Sequence, residues 1–195
     1  AIEFDGVSQR VETSISPTAS GSLECYFNAN DVSGFQVLLG SQGATNCFLS
    51  VNDGKLGGGI GSDYWINIIG TTSFQTNETH HAKITWDGTT VKLFLDGVED
   101  YSGGQIGSAA NSTVVYFACK NANGSANTYF NGSLSSVKIN SKTFPLASGH
   151  PNIAYCADGI NHGDLVADPT IVQVDGIPSN NLNNGFTKRM FFDGA

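Results

Sequence analysis

The sequence predicts an all-β protein, two antiparallel sheets packed face to face as a sandwich, followed by a loop-rich C-terminal extension. Three observations carry this. Short apolar runs recur from Ile2 to Ile139, each bounded by Gly, Asn, Asp and Ser. Glycine is abundant at 24 of 195 residues, proline scarce at 5, and charged residues make up only 13%. Apolar spacing of three and four is nowhere sustained, so long amphipathic helices are not expected.

The expected strands are Ile2–Phe4, Val11–Ser14, Leu23–Phe27, Phe35–Leu39, Cys47–Val51, Tyr64–Ile69, Thr79–Trp86, Val91–Leu95, Val114–Cys119, Tyr129–Phe130 and Leu134–Ile139. Turns fall at Asp31–Gly34, Asn52–Gly54, Gly57–Gly59, Asp87-Gly88 and Ser102–Gly104. Alternation sets the faces: Ala82, Ile84 and Trp86 share one side, and His81, Lys83 and Thr85 the other. Val91, Leu93 and Leu95 likewise share a side. Each strand thus has one apolar face, and two sheets packed together bury both.

The strongest local signal is Thr79–Gly97. Two alternating runs flank Asp87-Gly88, and an Asp-Gly step supplies the positive φ that a hairpin turn needs. The Gly57-Gly58-Gly59-Ile60-Gly61 run lacks the lysine of a phosphate loop and any helix to receive a phosphate. It is read as a strand allowing close backbone approach, or as a bulge.

Residues 1–140 are expected to form the sandwich, and 141–195 a wrap packed on it or on a partner. After Asn140 turn residues dominate, and only Ile171–Val174 reads as strand. The apolar Met190-Phe191-Phe192 either tucks into the domain or docks on a partner.

Net charge is −8, and of nine basic residues only Lys188 and Arg189 are adjacent. That balance argues against nucleic acid and against an anionic membrane surface. No apolar run reaches the length of a membrane span. The start at Ala1, with no leader visible, suggests a mature protein or an excised domain.

Cys25, Cys47, Cys119 and Cys156 match no zinc spacing. The first three sit in strand runs and read as buried thiols; the other reading is a disulfide such as Cys25–Cys47, with three full pairings open to four cysteines. Reduced cysteines would favour assembly in a cytoplasm over classical secretion. Sequons at Asn77, Asn111, Asn123 and Asn131 matter only in a secreted eukaryotic protein.

Sugar binding needs flat aromatic faces with amide or carboxylate groups beside them. Asp63, Tyr64, Trp65 and Asn67 offer that mixture after the glycine run, and Tyr101 and Tyr26 could also face outward. Because Trp is usually mostly buried, Trp65 reads first as core and second as a ligand platform; Trp86 is core by its alternation with Ile84 and Ala82. His80 and His81, adjacent on a strand, point to opposite faces and cannot chelate one metal together. No Gly-x-Ser-x-Gly elbow is present.

Three segments resemble the laminin-G-like branch of the concanavalin A-like jelly rolls. Ile2–Val7 is similar to the family's opening strand with its Phe-Asp-Gly, although Gln9-Arg10-Val11 stand where Asp-Tyr-Val is usual. Thr79–Gly97 is similar to the family's hairpin, with Thr79 in place of its leading Trp. Phe130–Ile139 is similar to the closing strand, with Ser135-Ser136 in place of an acidic pair. Phe144–Gly149 and Asp158–Gly163 resemble a stretch that accompanies such domains in bacteriophage tail and virion proteins.

The resemblance implies a jelly-roll sandwich that recognises rather than reacts. Glycanases of this fold carry a carboxylate cluster on one strand. Here the one Glu-x-Asp is Glu3-Phe4-Asp5, read as a turn-forming Asp before Gly6, while Glu12 and Glu24 stand alone. No catalytic residue, metal ligand or cofactor is therefore expected. Calcium is the one ion the resemblance admits, with Asp5, Asp53, Asp63 and Asp100 as candidates. The expected function is a non-enzymatic virion or phage-tail structural protein able to bind host-surface glycan. It would sit on the virion surface or tail, bound to its own copies or to other virion proteins. A homo-oligomer is expected, with a trimer first. The alternative is a secreted, extracellular carbohydrate-binding module of a larger glycan-active protein.

Overall fold

The computed structural model describes residues 1–13, 15–42, 45–61, 68–105, 107–122, 125–144 and 171–175. The strands are β1 (Ile2–Asp5), β2 (Arg10–Thr13), β3 (Gly21–Ala29), β4 (Phe35–Gln42), β5 (Asn46–Asn52) and β6 (Lys55–Gly61). They continue with β7 (Ile68–Ser73), β8 (Thr79–Trp86), β9 (Thr90–Leu95), β10 (Val98–Gly104) and β11 (Tyr116–Phe117). The remainder are β12 (Lys120–Ala122), β13 (Ser125–Asn127), β14 (Asn131–Ile139), β15 (Lys142–Phe144) and β16 (Ile171–Asp175).

One sheet runs β1-β14-β3-β8-β9-β10, with β15 also on β14. The other runs β16-β2-β11-β4-β5-β6-β7, and β12 and β13 form a separate ribbon. The ladders are antiparallel throughout, as the sequence predicts.

The core lies between the sheets. Leu23, Cys25, Phe27, Ala82, Ile84, Trp86, Val91, Leu93 and Leu95 come from the first sheet. Val11, Leu39, Cys47, Leu49, Val51, Leu56 and Ile60 come from the second. Trp86 is core, as alternation requires, and its indole N–H donates to the Thr18 carbonyl at 2.9 Å. Burying a Leu, Ile or Phe side chain contributes about 1.5–3 kcal/mol, so these facing rows supply most of the drive for the sheets to close.

Turn chemistry sets the registers. Asp53-Gly54 joins β5 to β6 with φ of 49° and 72°, and Asp96-Gly97 joins β9 to β10 with φ of 51° and 82°. Two residues with positive φ between paired flanks make the hairpin turn whose twist matches its strands. Asp87-Gly88 is different: Trp86 pairs with Val91, so the loop spans four residues. The Asp87 carboxylate caps it, accepting from the amides of Thr89 (2.9 Å) and Thr90 (2.7 Å).

Several expected elements need correction. The Gly57–Gly59 turn is part of strand β6, combining close approach with a register shift against β7 between Lys55 and Gly57. Ser102–Gly104 is not a turn but the end of β10, a strand the sequence reading omitted because glycine and acid residues dominate it. Val114–Cys119 is strand only at Tyr116–Phe117, since Ala118 takes φ 61° and leaves the ladder. Tyr129–Phe130 is not a strand: Thr128 has φ 54°, and β14 begins one residue after Phe130.

Of the expected Tyr64–Ile69 strand, residues 64–67 lie outside the described residues, and β7 begins at Ile68 and runs to Ser73. The C-terminal strand is present as β16, pairing with β2 at the edge of the second sheet. Met190–Phe192 and Cys156 lie outside the described residues.

Cys25, Cys47 and Cys119 are free and buried, so the Cys25–Cys47 disulfide does not form. Burial pushes all three thiols up, Cys119 to about 12. No helix among the described residues is long and apolar enough to cross a membrane.

Candidate functional site

The outer face of the first sheet is built by alternation. In β3, Leu23, Cys25 and Phe27 point inward, which turns Glu24 and Tyr26 outward. In β8 the same rule turns His81 and Lys83 outward. Register then sets Tyr26 opposite His81 and Glu24 opposite Lys83. On the other flank β14 places Ser135 beside Tyr26 and Lys138 beside Glu24.

Lys138 reaches this face through a bulge. The β14 register shifts against β3 between Ser135 and Lys138, and Ser136 takes φ 47°. Leu134 and Val137 are both inward, although they lie three residues apart. Without the extra residue, a period of two would turn Lys138 inward. The bulge sits at the Ser135-Ser136 step, where the resembling family has an acidic pair.

These side chains form one network. Glu24 Oε1 lies 2.9 Å from His81 Nε2 and 2.7 Å from Lys138 Nζ, and Oε2 lies 3.6 Å from Lys83 Nζ. Burial works against the Glu24 charge, but the Lys138 and His81 hydrogen bonds outweigh it and hold the carboxyl below the usual range. The Tyr26 and His81 rings stand 4.7 Å apart, tilted by 40°. Tyr26 keeps 45% of its surface in solvent. Among the described residues Val7, Ile69 and Val98 are also large and exposed, but Tyr26 is the aromatic one.

His80 turns the other way, as expected for its neighbour on the strand. Its ring packs near Phe27 and Phe74, with centroids 5.8 and 5.1 Å away. Nδ1 pairs with Asp96 Oδ2 at 2.8 Å, and Nε2 with Glu78 Oε2 at 3.3 Å. Asp96 also accepts from the His81 amide at 2.7 Å, tying the histidine pair to the β9–β10 turn.

The predicted sugar-binding residues Asp63, Tyr64, Trp65 and Asn67 lie outside the described residues, between β6 and β7. Tyr101, on β10, is half-buried against the core and does not join Tyr26. Beside it, Asp100 joins the two sheets. Its Oδ1 accepts from the amides of Thr71 (3.1 Å) and Thr72 (2.9 Å) and from both hydroxyls.

The other calcium candidates are similarly occupied. Asp5 accepts from the amides of Val7, Ser8 and Gln9, as the turn-forming reading predicts, and Asp53 accepts from the Gly34 amide. Slight burial pulls Asp5 up, but those amides win and hold it at about 2. Asp63 lies outside the described residues. Among the described residues no three of His, Cys, Asp and Glu gather as a metal group.

Sequence reasoning sets Glu24 aside as isolated, reads His81 and Lys83 only as sharing a strand face, and does not single out Lys138. Glu24 looked isolated because its partners lie 57, 59 and 114 residues further along the chain. Alternation alone could have put Glu24 and Tyr26 on one face, but not the bulge that brings Lys138.

The sequence profile of the laminin-G type of the concanavalin A-like lectin/glucanases superfamily matches residues 5–147. No curated protein matches the sequence. Among solved structures, a CBM40 of the Ruminococcus gnavus IT-sialidase bound to alpha2,3 sialyllactose aligns with TM-score 0.61 at 15% identity, over 80% of this chain and 95% of that one. The native heptameric SAP-like pentraxin of Limulus polyphemus aligns with TM-score 0.56 at 12% identity, over 70% and 73%. Domain 4 of the extracellular arabinanase AbnA of Geobacillus stearothermophilus, in complex with arabinotriose, aligns with TM-score 0.53 at 16% identity, over 72% and 70%. At these identities the likeness establishes the shared sandwich.

Proposed function

The chain belongs to the concanavalin A-like lectin/glucanases superfamily, and on that premise we propose that it is a non-catalytic, extracellular glycan-binding module. The observation that carries this is Tyr26: an exposed aromatic on a regular strand face, braced by His81 and flanked by charged donors and an acceptor. Aromatic faces stack on sugar rings, and charged groups beside them bond hydroxyls. The described carboxylates support a binding role, because most are already engaged. Glu24 holds two lysines and a histidine, Asp100 the two threonines, and Glu78 and Asp96 share His80. The similar sialidase CBM40, bound to alpha2,3 sialyllactose, and the similar AbnA domain, in complex with arabinotriose, add weight.

A glycan array followed by titration calorimetry tests this reading. Binding should fall about tenfold or more in Tyr26→Ala, the scale of an aromatic hot spot, with no polysaccharide cleaved. An array without hits, or cleavage of any glycan, would overturn it. A loss in Trp65→Ala with Tyr26→Ala unchanged would move the site to the β6–β7 connection.

A second reading, an exposed component of a virion or tail that holds host glycan, is favoured by the resemblance of Phe144–Gly149 and Asp158–Gly163. It expects an oligomer, a trimer first. Light scattering that returns a monomer at micromolar concentration would count against it.

A further inference from the structure

We infer that the Tyr26 face takes an acidic sugar, one bearing a carboxylate or sulfate, with the ring on Tyr26 and the acidic group toward Lys138 and Lys83. This rests on the glycan reading above and names the ligand class of the same site.

The argument is the vertical order of charge. Glu24 has only 12% of its side chain exposed, whereas Lys138 has 41% and Lys83 has 36%. The carboxylate is sunk into the sheet, and both ammoniums stand above it. Two lysines against one carboxylate leave one surplus positive charge. That surplus sits on a chain of net charge −8. Each ammonium has three donors; Glu24 accepts one from Lys138 at 2.7 Å and is only an ion-pair partner to Lys83 at 3.6 Å, so donors remain for a ligand.

The same face supplies its own contrast. Lys92 and Glu99 pair at 2.7 Å with 40% and 45% of their side chains exposed. That bridge is balanced and level, an ordinary surface pair worth little. At the Glu24 site the acid acts as an anchor that holds two cations in place without covering them. Glu24 lies two residues along β3 from Tyr26, about 7 Å, the span of one sugar ring with its acidic substituent. Preorganised cations lose little freedom when they meet an anion.

The experiment uses matched probes: a uronic-acid-containing tetrasaccharide and the same molecule with its carboxyls reduced to alcohols, titrated into the whole chain. The acidic form should bind about tenfold more tightly, the scale of a charge-assisted hydrogen bond. The gap should shrink as sodium chloride rises. Lys83→Gln should close most of it while leaving the two short bonds of Glu24 intact, so folding is preserved; Lys138→Gln is the second variant, with its melting temperature measured alongside. Tyr26→Ala should weaken both forms.

Equal affinity for the two forms, with Tyr26→Ala still impaired, would overturn the charge inference and leave the glycan reading standing. Binding of neither form on this face, with other array glycans also silent, would defeat the glycan reading itself. Inorganic sulfate or a DNA duplex binding as tightly as the acidic sugar would also overturn the inference, since the sugar ring would then contribute nothing.

Discussion

Gly58 of β6 lies with its bare Cα against Ile84 of β8, across the interior between the two sheets. A Cβ added at Gly58 would stand 2.7 Å from Ile84 Cδ1, 3.0 Å from the Phe48 carbonyl oxygen and 3.3 Å from Leu93 Cδ2. The glycine run is therefore a packing device that lets a strand approach the opposite layer. Gly58→Ala should cost about 1–3 kcal/mol by overpacking. Gly104→Ala, where no atom lies within 4 Å of the new Cβ, should change stability little. Urea unfolding of both variants checks the contrast, and equal midpoints would refute it.

The Asp96-Gly97 turn should be equally exacting for a different reason. Gly97 has φ 82° with open space around it, so the cost of Gly97→Ala is backbone strain alone, roughly 1–2 kcal/mol. Gly97→Asn, which tolerates that conformation better, should recover part of the loss in a thermal melt.

Acid should unfold the protein through its bonded carboxylates. Burial raises the carboxyls of Asp100 and Glu24, but their hydrogen bonds win and both are lowered, while Asp5 reaches about 2. A carboxyl lowered in the folded state stabilises above its unfolded pKa and loses that contribution as pH falls through the folded one. The melting temperature should be flat near neutrality and drop from about pH 4 toward pH 2. Asp100→Ala leaves the Thr71 and Thr72 amides unpaired and should cost roughly 1–3 kcal/mol at pH 7. A melt curve of the variant with the same acid limb as the parent would show that Asp100 has no part in it.

The three described thiols should resist modification. Cys25, Cys47 and Cys119 are buried, and burial disfavours the thiolate that a thiol reagent attacks. A maleimide pulse in native buffer should leave their peptides unlabelled by mass spectrometry, and the same pulse in urea should label all three. Native labelling of Cys25 would contradict its place in the core.

Much of the fold was legible because period two writes burial directly into the chain. Ala82, Ile84 and Trp86 face inward and His81 and Lys83 outward, as alternation demands. The legible elements are the long, apolar ones. Strand β10 was missed because Val98–Gly104 is acid- and glycine-rich and gains its place by pairing with β9 and by the Asp100 link to β7. The expected site on Asp63–Asn67 lies outside the described residues, and Tyr101 proved half-buried.

By itself the sequence determined the all-β class, the inward rows of the strands and the separation of His80 from His81. These follow from local geometry, which a single strand already possesses. Tertiary structure alone decided that Glu24 meets His81, Lys83 and Lys138. Two of those meetings need the β3–β8 register, and the third needs a bulge that turns Lys138 onto the outer face. Register and bulge are settled by which apolar rows must close over one core, and that is a property of all the strands together.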